Sequence, residues 1–204
     1  HLAEFVKLLR SDGVEISNLD LGGGLGIKYY EENTPTPSDY GAMVQEILGG
    51  LGCSFSFEPG RIISGDSGIL VSKVIYLKET ASKTFCIVDA AMNDFIRPTL
   101  YEAYHDILKV DEPKRHDVTK IFQIVGPICE SGDYFAKNRE LPKINQGDLI
   151  ALKTVGAYGA VMSSCYNSRP LIPEVMVRND QYSIIRERET IKDIIKKEKI
   201  PQWM

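Results

Sequence analysis

The apolar pattern of this chain changes at Glu58-Pro59-Gly60-Arg61, and that change constrains the fold more than any other feature. Upstream, helical and extended segments alternate. Downstream, almost every regular segment reads as a strand. The four residues follow Cys53-Ser54-Phe55-Ser56-Phe57, a short alternating run that reads as a strand. Pro59 stops it, and Gly60 lets the backbone approach something closely. A carboxylate and a guanidinium are thus presented at the C-terminal end of a strand, where α/β folds bind ligands. The plain alternative is a turn with a surface ion pair.

The upstream segment begins at once with a helical pattern, Leu2, Phe5, Val6 and Leu9, and Gly13 reads as its C-cap. A strand from Ile16 to Leu21 runs into Gly22-Gly23-Gly24-Leu25-Gly26. A polar loop, Glu31 to Pro37, leads to a second helix. Ser38 is its expected N-cap, Tyr40, Met43, Val44 and Ile47 lie on one face, and Gly49-Gly50 end it. Two parallel strands cannot make a parallel sheet that is covered on both faces and paired at both edges. A helical start at His1 fits the same expectation, that further polypeptide precedes this region or accompanies it as a separate chain.

Downstream, strands are expected at Ile69 to Leu77, Phe85 to Val88, Ile121 to Val125, Leu149 to Thr154, Glu174 to Val177 and Gln181 to Ile185. Asn179-Asp180 reads as a two-residue hairpin turn. Such spacing predicts an antiparallel sandwich or barrel. A short helix is expected over Ile96 to Tyr104, and a terminal one opens with the capping box Thr190/Asp193.

Composition excludes some partners. A formal net charge of -4 with no basic stripe argues against nucleic acid. No apolar run approaches the ~20 residues of a membrane span, and no secretory leader is expected. Cys53, Cys86, Cys129 and Cys165 lack metal-ligand spacing and are too sparse for a disulfide scaffold. Reduced thiols in a cytoplasmic protein are the simplest reading.

Several segments carry residues suited to chemistry. Gly22-Gly23-Gly24 follows a strand and bares backbone N–H groups, as an anion nest does; a tight turn is the alternative. It is neither a dinucleotide fingerprint, since Ile27 stands where the last glycine belongs, nor a Walker loop. Arg97 and Tyr101 are one helical turn apart, so a guanidinium fork and a phenol could share a face and hold a carboxylate. The alternative is a solvated Arg beside a half-buried Tyr. Cys129 stands beside Glu130 and close to Asp133. Nearby negative charge should raise a thiol above its usual pKa of about 8.5, which suits a proton donor better than a nucleophile. His1, His105 and His116 form no recognisable catalytic partner motif for it. Tyr158, between Ala157 and Gly159 and close to Gly156, reads as a ring exposed at a strand end.

In this order, Gly22-Gly23-Gly24, Glu58-Pro59-Gly60-Arg61, Arg97-Pro98-x-x-Tyr101, Cys129-Glu130-Ser131-x-Asp133 and Gly156-Ala157-Tyr158 resemble the C-terminal half of the diaminopimelate decarboxylases. These are pyridoxal 5'-phosphate (PLP) enzymes of the alanine-racemase fold type. Cys-Glu-Ser and the run Ser164-Cys165-Tyr166-Asn167-Ser168-Arg169-Pro170 point to diaminopimelate rather than ornithine.

The resemblance implies an α/β plus all-β fold. Residues 1–61 would be the last βα units of a PLP-binding (β/α)8 TIM barrel, and residues 62–204 an antiparallel β-barrel or sandwich domain with a terminal helix. It implies that Gly22, Gly23 and Gly24 hold the cofactor phosphate and that Glu58 pairs with the pyridine nitrogen. Gly60 lines the cofactor. Arg61 lies between the phosphate and a substrate carboxylate. Arg97 and Tyr101 bind the distal end of the substrate, Glu130 its distal ammonium, and Tyr158 contacts cofactor and substrate. Cys129 returns a proton to the α-carbon. The Cys129-Glu130 segment reaches the neighbouring subunit's site, so a homodimer with shared sites is implied. The family's cofactor-carrying lysine lies on an early barrel strand, and Lys28 does not match it. The chain alone is therefore expected to be inactive and to need the N-terminal half of the barrel. The alternatives are an ornithine, arginine or carboxynorspermidine decarboxylase, or a non-catalytic homologue serving as an interaction subunit.

Overall fold

The computed structural model describes residues 1–111 and 118–204; His116 lies outside the described residues. Helix α1 (Leu2–Ser11) ends in Asp12, and Gly13 follows at φ 84°, the left-handed position that closes a helix. Strand β1 (Asn18–Asp20) pairs in parallel with β2 (Ser54–Ser56), as expected. Between them runs α2 (Pro37–Leu48). Its N-cap is Thr36, not Ser38. The Thr36 hydroxyl accepts from the Asp39 amide, and the Asp39 carboxylate accepts from the Thr36 amide. Pro37 then occupies the first helical position, where its missing N–H costs nothing.

Val6, Leu19, Val44, Leu48 and Leu51 form a small core under these elements. Leu2 and Phe5, expected on the inner face of α1, stay exposed, as do Met43 and Ile47 of α2. The apolar surface here is wider than the described elements cover.

The short helix α3 (Gly60–Ser64) leads into the strands, a turn of helix that the apolar pattern did not predict. Next come β3 (Leu70–Glu79), β4 (Thr84–Val88), α4 (Arg97–Tyr101), β5 (Ile107–Lys109), β6 (Thr119–Val125), β7 (Tyr134–Pro142) and β8 (Leu149–Leu152). The six strands form one sheet in the order β5-β8-β3-β4-β6-β7. The expectation of an antiparallel arrangement needs correction, because β4 and β6 run parallel. A parallel neighbour requires a crossover, and α4 and β5 lie in that crossover.

Strands β5 and β7 were not foreseen. β5 has only three residues, and β7 carries Lys137, Asn138, Arg139 and Glu140 in sequence. The β6–β7 register shifts between Phe122 and Ile124, and Asn138 there has φ 51°. The buried Gln123 side chain closes the gap, donating to Asn138 Oδ1 at 2.7 Å and accepting from the Asn138 amide at 3.2 Å. A bulge satisfied by a side chain removes the period-2 signal by which a strand is recognised.

The core of this sheet includes Val74, Cys86, Val88, Phe95, Phe122, Ile124, Phe135, Ile150 and Leu152. A separate hairpin, β9 (Glu174–Arg178) and β10 (Gln181–Arg186), turns at Asn179-Asp180 as expected, with Asn179 at φ 56°. Helix α5 (Ile191–Ile195) opens with the Thr190/Asp193 capping box. Among the described residues, no helix is long and apolar enough to cross a membrane.

Candidate cofactor and substrate site

The end of β1 and the end of β2 are locked together. The Glu58 amide donates to the Gly22 carbonyl at 2.7 Å, and the Leu21 amide donates to the Ser56 carbonyl at 3.0 Å. Gly23 lies so close to Glu58 that a β-carbon there would be 2.6 Å from the Glu58 carbonyl oxygen. Glycine at this position follows from that contact alone. The Gly22 amide donates to Asp20 Oδ1 at 2.7 Å. That leaves the Gly23 and Gly24 amides as the N–H groups without a hydrogen-bond partner among the described residues. The side-chain-free turn therefore offers two donors rather than three.

Gly60 opens α3, and Arg61 is the next residue, half-buried. A β-carbon on Gly60 would lie 3.8 Å from the Tyr158 hydroxyl. Tyr158 is itself 49% exposed and sits at φ 58°. It lies in the loop after β8 rather than at a strand end, and that loop is held by Gly156, where a β-carbon would fall 1.8 Å from the Ser64 carbonyl oxygen, and by the Gly156 amide donating to the Gly65 carbonyl at 3.0 Å. Thr154 Oγ1 donates to Asp66 Oδ1 at 3.0 Å across the same seam. The glycine turn thus meets Glu58 at Gly23, and Tyr158 approaches Gly60, two residues after Glu58 and one before Arg61.

Arg97 is half-buried, not solvated. Its Nη1 donates to the Tyr29 hydroxyl at 2.8 Å and lies 3.1 Å from His105 Nε2. Tyr101, one turn later on α4, is 60% exposed, and no described contact joins it to Arg97. Tyr29 and His105 were not singled out from the sequence as site residues. A tyrosine in a loop and a lone histidine carry no spacing signal, and only the tertiary fold brings them together.

Cys129 and Glu130 are exposed on the loop between β6 and β7. The loop is clamped from behind. Buried Asp133 accepts from the Met92 amide and from the Ile128 amide, each at 2.7 Å. Burial pushes the Asp133 carboxyl up, and those amides pull it back down. The Thr99 hydroxyl of α4 donates to the Gly132 carbonyl. Of the two carboxylates near the thiol in sequence, Asp133 is therefore engaged by backbone amides at Met92 and Ile128. Glu130 accepts from the Gly132 amide at 3.1 Å and from the Tyr166 hydroxyl at 3.3 Å. The Glu130 charge pushes the Tyr166 phenol up.

The segment bearing Tyr166 is tied down by Arg169, whose Nε donates to Asn93 Oδ1 at 2.9 Å and whose Nη2 donates to the Asp89 carbonyl at 2.6 Å. Asn93 in turn donates to the Ser164 carbonyl at 3.1 Å. The polar run at residues 164–170 is thus a docking strap for the residues that precede α4.

Residues 17–156 match the family described as pyridoxal-dependent decarboxylase, C-terminal sheet domain. Over 203 residues the chain is 44% identical to the diaminopimelate decarboxylase of Zymomonas mobilis, covering 98% of this chain and 48% of that protein. Over 194 residues it is 46% identical to the Haemophilus influenzae diaminopimelate decarboxylase, covering 95% and 46%. Among solved structures, the diaminopimelate decarboxylase from M. jannaschi superposes with a TM-score of 0.90 at 38% identity, over 98% of this chain and 47% of that one. The Helicobacter pylori enzyme, complexed with L-lysine, superposes with a TM-score of 0.87 at 41% identity, over 96% and 48%. The chain spans about half the length of the curated relatives it matches. With a sheet domain that matches in sequence and superposes in space, the chain belongs to the pyridoxal-dependent decarboxylases.

Proposed function

We propose that the chain is the C-terminal part of an enzyme that decarboxylates meso-2,6-diaminopimelate to L-lysine and carbon dioxide. In this reading residues 1–61 complete a (β/α)8 barrel, residues 62–204 form the β-domain, and the exposed apolar residues of α1 and α2 pack against the rest of the barrel. The relatives' names and the L-lysine bound to the Helicobacter pylori enzyme support the substrate. The observation that carries the reading is the contact of Gly23 with Glu58, which puts a donor-lined turn and a carboxylate at the mouth of one parallel strand pair.

The residues present fit pyridoxal 5'-phosphate. The turn has no side chain to keep an anion away, and the Gly23 and Gly24 amides would take the phosphate. Glu58 would pair with the pyridine nitrogen and keep it protonated. The protonated ring, when bound, supplies an electron sink for the pair left by departing carbon dioxide. Arg61 would stand between the phosphate and a substrate carboxylate, and Tyr158 over cofactor and substrate beside Gly60. The amine that carries the cofactor comes from polypeptide outside these 204 residues.

Arg97 and Tyr101 bind the distal end of the substrate. Cys129 delivers a proton to the α-carbon, and Glu130 holds the distal ammonium. The clamped, outward loop that bears them supports delivery into the site of a second copy, so the catalytic unit is a homodimer. A cytoplasmic setting suits the four free thiols.

The test is substrate competition on the full-length holoenzyme, following carbon dioxide release. Diaminopimelate should be turned over in preference to ornithine, arginine and carboxynorspermidine. Preference for any of the others overturns the substrate assignment. No turnover of any would favour a non-catalytic homologue.

A further inference from the structure

We propose that Tyr29 and His105 are positioning residues for Arg97, holding one nitrogen of its guanidinium so that the opposite edge faces a carboxylate at the distal end of the substrate. The proposal rests on the reading of Arg97 as a substrate-binding residue and adds what makes it selective.

Nη1 of Arg97 carries two protons, and two acceptors meet it: the Tyr29 hydroxyl at 2.8 Å and His105 Nε2 at 3.1 Å. For Nε2 to accept, the imidazole must be neutral with its proton on Nδ1. The other side of the ring dictates this tautomer, because Nδ1 lies 2.9 Å from the Lys153 carbonyl, which can only accept. His105 has no exposed surface, and burial pushes its pKa down to about 4, with Arg97 and Arg139 adding to the shift. The ring plane is held edge-on by Phe95 at 4.6 Å and Tyr29 at 5.0 Å between centroids.

With Nη1 occupied on both protons, a carboxylate finds two parallel donors only on the Nε–Nη2 edge. Neither of those nitrogens has a hydrogen-bond partner among the described residues, and the side chain is only half-buried. The loop that leaves the Gly22–Gly24 turn is the one that carries Tyr29, so the phosphate turn and the orientation of the fork belong to one segment. A substrate lacking the distal carboxylate would forgo the contact that this arrangement prepares.

L-lysine and cadaverine, which differ by that carboxylate, separate positioning from simple structural support. Both are used as inhibitors of diaminopimelate decarboxylation by the full-length holoenzyme. Tyr29→Phe and His105→Phe should each weaken L-lysine about tenfold and cadaverine less than about twofold, the scale of one hydrogen bond to a charged group. KM for diaminopimelate should rise while kcat changes less. His105→Gln, which keeps one donor for Lys153 and one acceptor for Arg97, should recover most of the L-lysine affinity.

Equal losses for both inhibitors, or no loss in Tyr29→Phe, would overturn the positioning role. Tyr29→Phe removes one oxygen from a loop residue, so it decides the matter even if His105→Phe does not fold. Arg97→Ala is the control. If it leaves the ratio of the two inhibitors unchanged, Arg97 does not read the carboxylate, and the substrate-binding reading falls together with this one. If it abolishes the ratio while Tyr29→Phe and His105→Phe preserve it, only the positioning role falls.

Discussion

The Glu58 amide donates to the Gly22 carbonyl at 2.7 Å, while the Glu58 carbonyl occupies the space a β-carbon on Gly23 would need. The two strand ends therefore cannot separate without moving the carboxylate away from the turn. Gly23→Ala must push Glu58 aside by several tenths of an ångström. Overpacking of this kind costs about 1–3 kcal/mol. We expect a large loss of cofactor affinity in the full-length enzyme, measured by equilibrium dialysis of pyridoxal 5'-phosphate. Gly24→Ala would meet no atom within 4 Å, but its φ of 89° is strained for alanine. It should cost stability without displacing Glu58, so its effect on cofactor affinity should be the smaller of the two.

Cys129 stands on an exposed loop with no tie to the glycine turn or to Glu58 among the described contacts. If its thiol delivers the proton, Cys129→Ala should leave cofactor binding intact while turnover falls by about 10²–10⁴-fold, the range of general acid–base catalysis. Steady-state kinetics beside a cofactor titration checks this. Unchanged turnover would remove Cys129 from the reaction.

Asp133 tests the loop rather than the thiol. Its two oxygens accept from Met92 and Ile128, one amide on each. Asp133→Asn turns one acceptor into a donor facing a donor, which costs about 1–3 kcal/mol in a buried setting. The Cys129 loop should loosen. Turnover is expected to drop with cofactor occupancy preserved, and hydrogen exchange at residues 128–132 should quicken. Normal exchange together with normal turnover would show that the clamp does not position the thiol.

What the sequence disclosed, and what it hid, follows from how far each signal reaches along the chain. Local signals were legible: the Thr190/Asp193 box, the Asn179-Asp180 turn, the short runs that form β1 and β2 and the glycine turn each rest on neighbouring residues. Ser38 is a capping residue type as well as Thr36, and the feature that separates them is Pro37 at the first helical position, which points to Thr36. β7 was hidden because Gln123 repairs its bulge from another strand, a contact no period can reveal. Arg97 and Tyr101 drew notice as an i,i+4 pair. The partners that Arg97 meets, Tyr29 and His105, lie 68 and 8 positions away and share no face with it. Asp133 reads in the sequence as a neighbour of the thiol, whereas its carboxylate ties the backbone of its own loop at Ile128 to that of the segment before α4 at Met92.

His105 also makes stability depend on pH. In the unfolded chain its imidazole has the ordinary value of 6.5; in the fold it is held to about 4, first by burial and then by the nearby guanidinium groups. The unfolded state therefore takes up the proton first as pH falls. The stability tied to the neutral ring is complete above pH 6.5 and is lost progressively between there and about pH 4. A shift of that size corresponds to about 3 kcal/mol across the window. Buried Asp94 and Asp133, both raised chiefly by burial, act in the opposite direction because the folded state then holds the extra protons. The comparison must therefore be with a variant that removes only the imidazole. His105→Gln should flatten the dependence of the urea midpoint on pH between 7 and 4, leaving the carboxyl contributions in place. Parallel curves for the two proteins would mean that His105 takes up its proton at the same pH in the fold as in the unfolded chain, so that burial does not protect the lone pair that Nε2 offers Arg97.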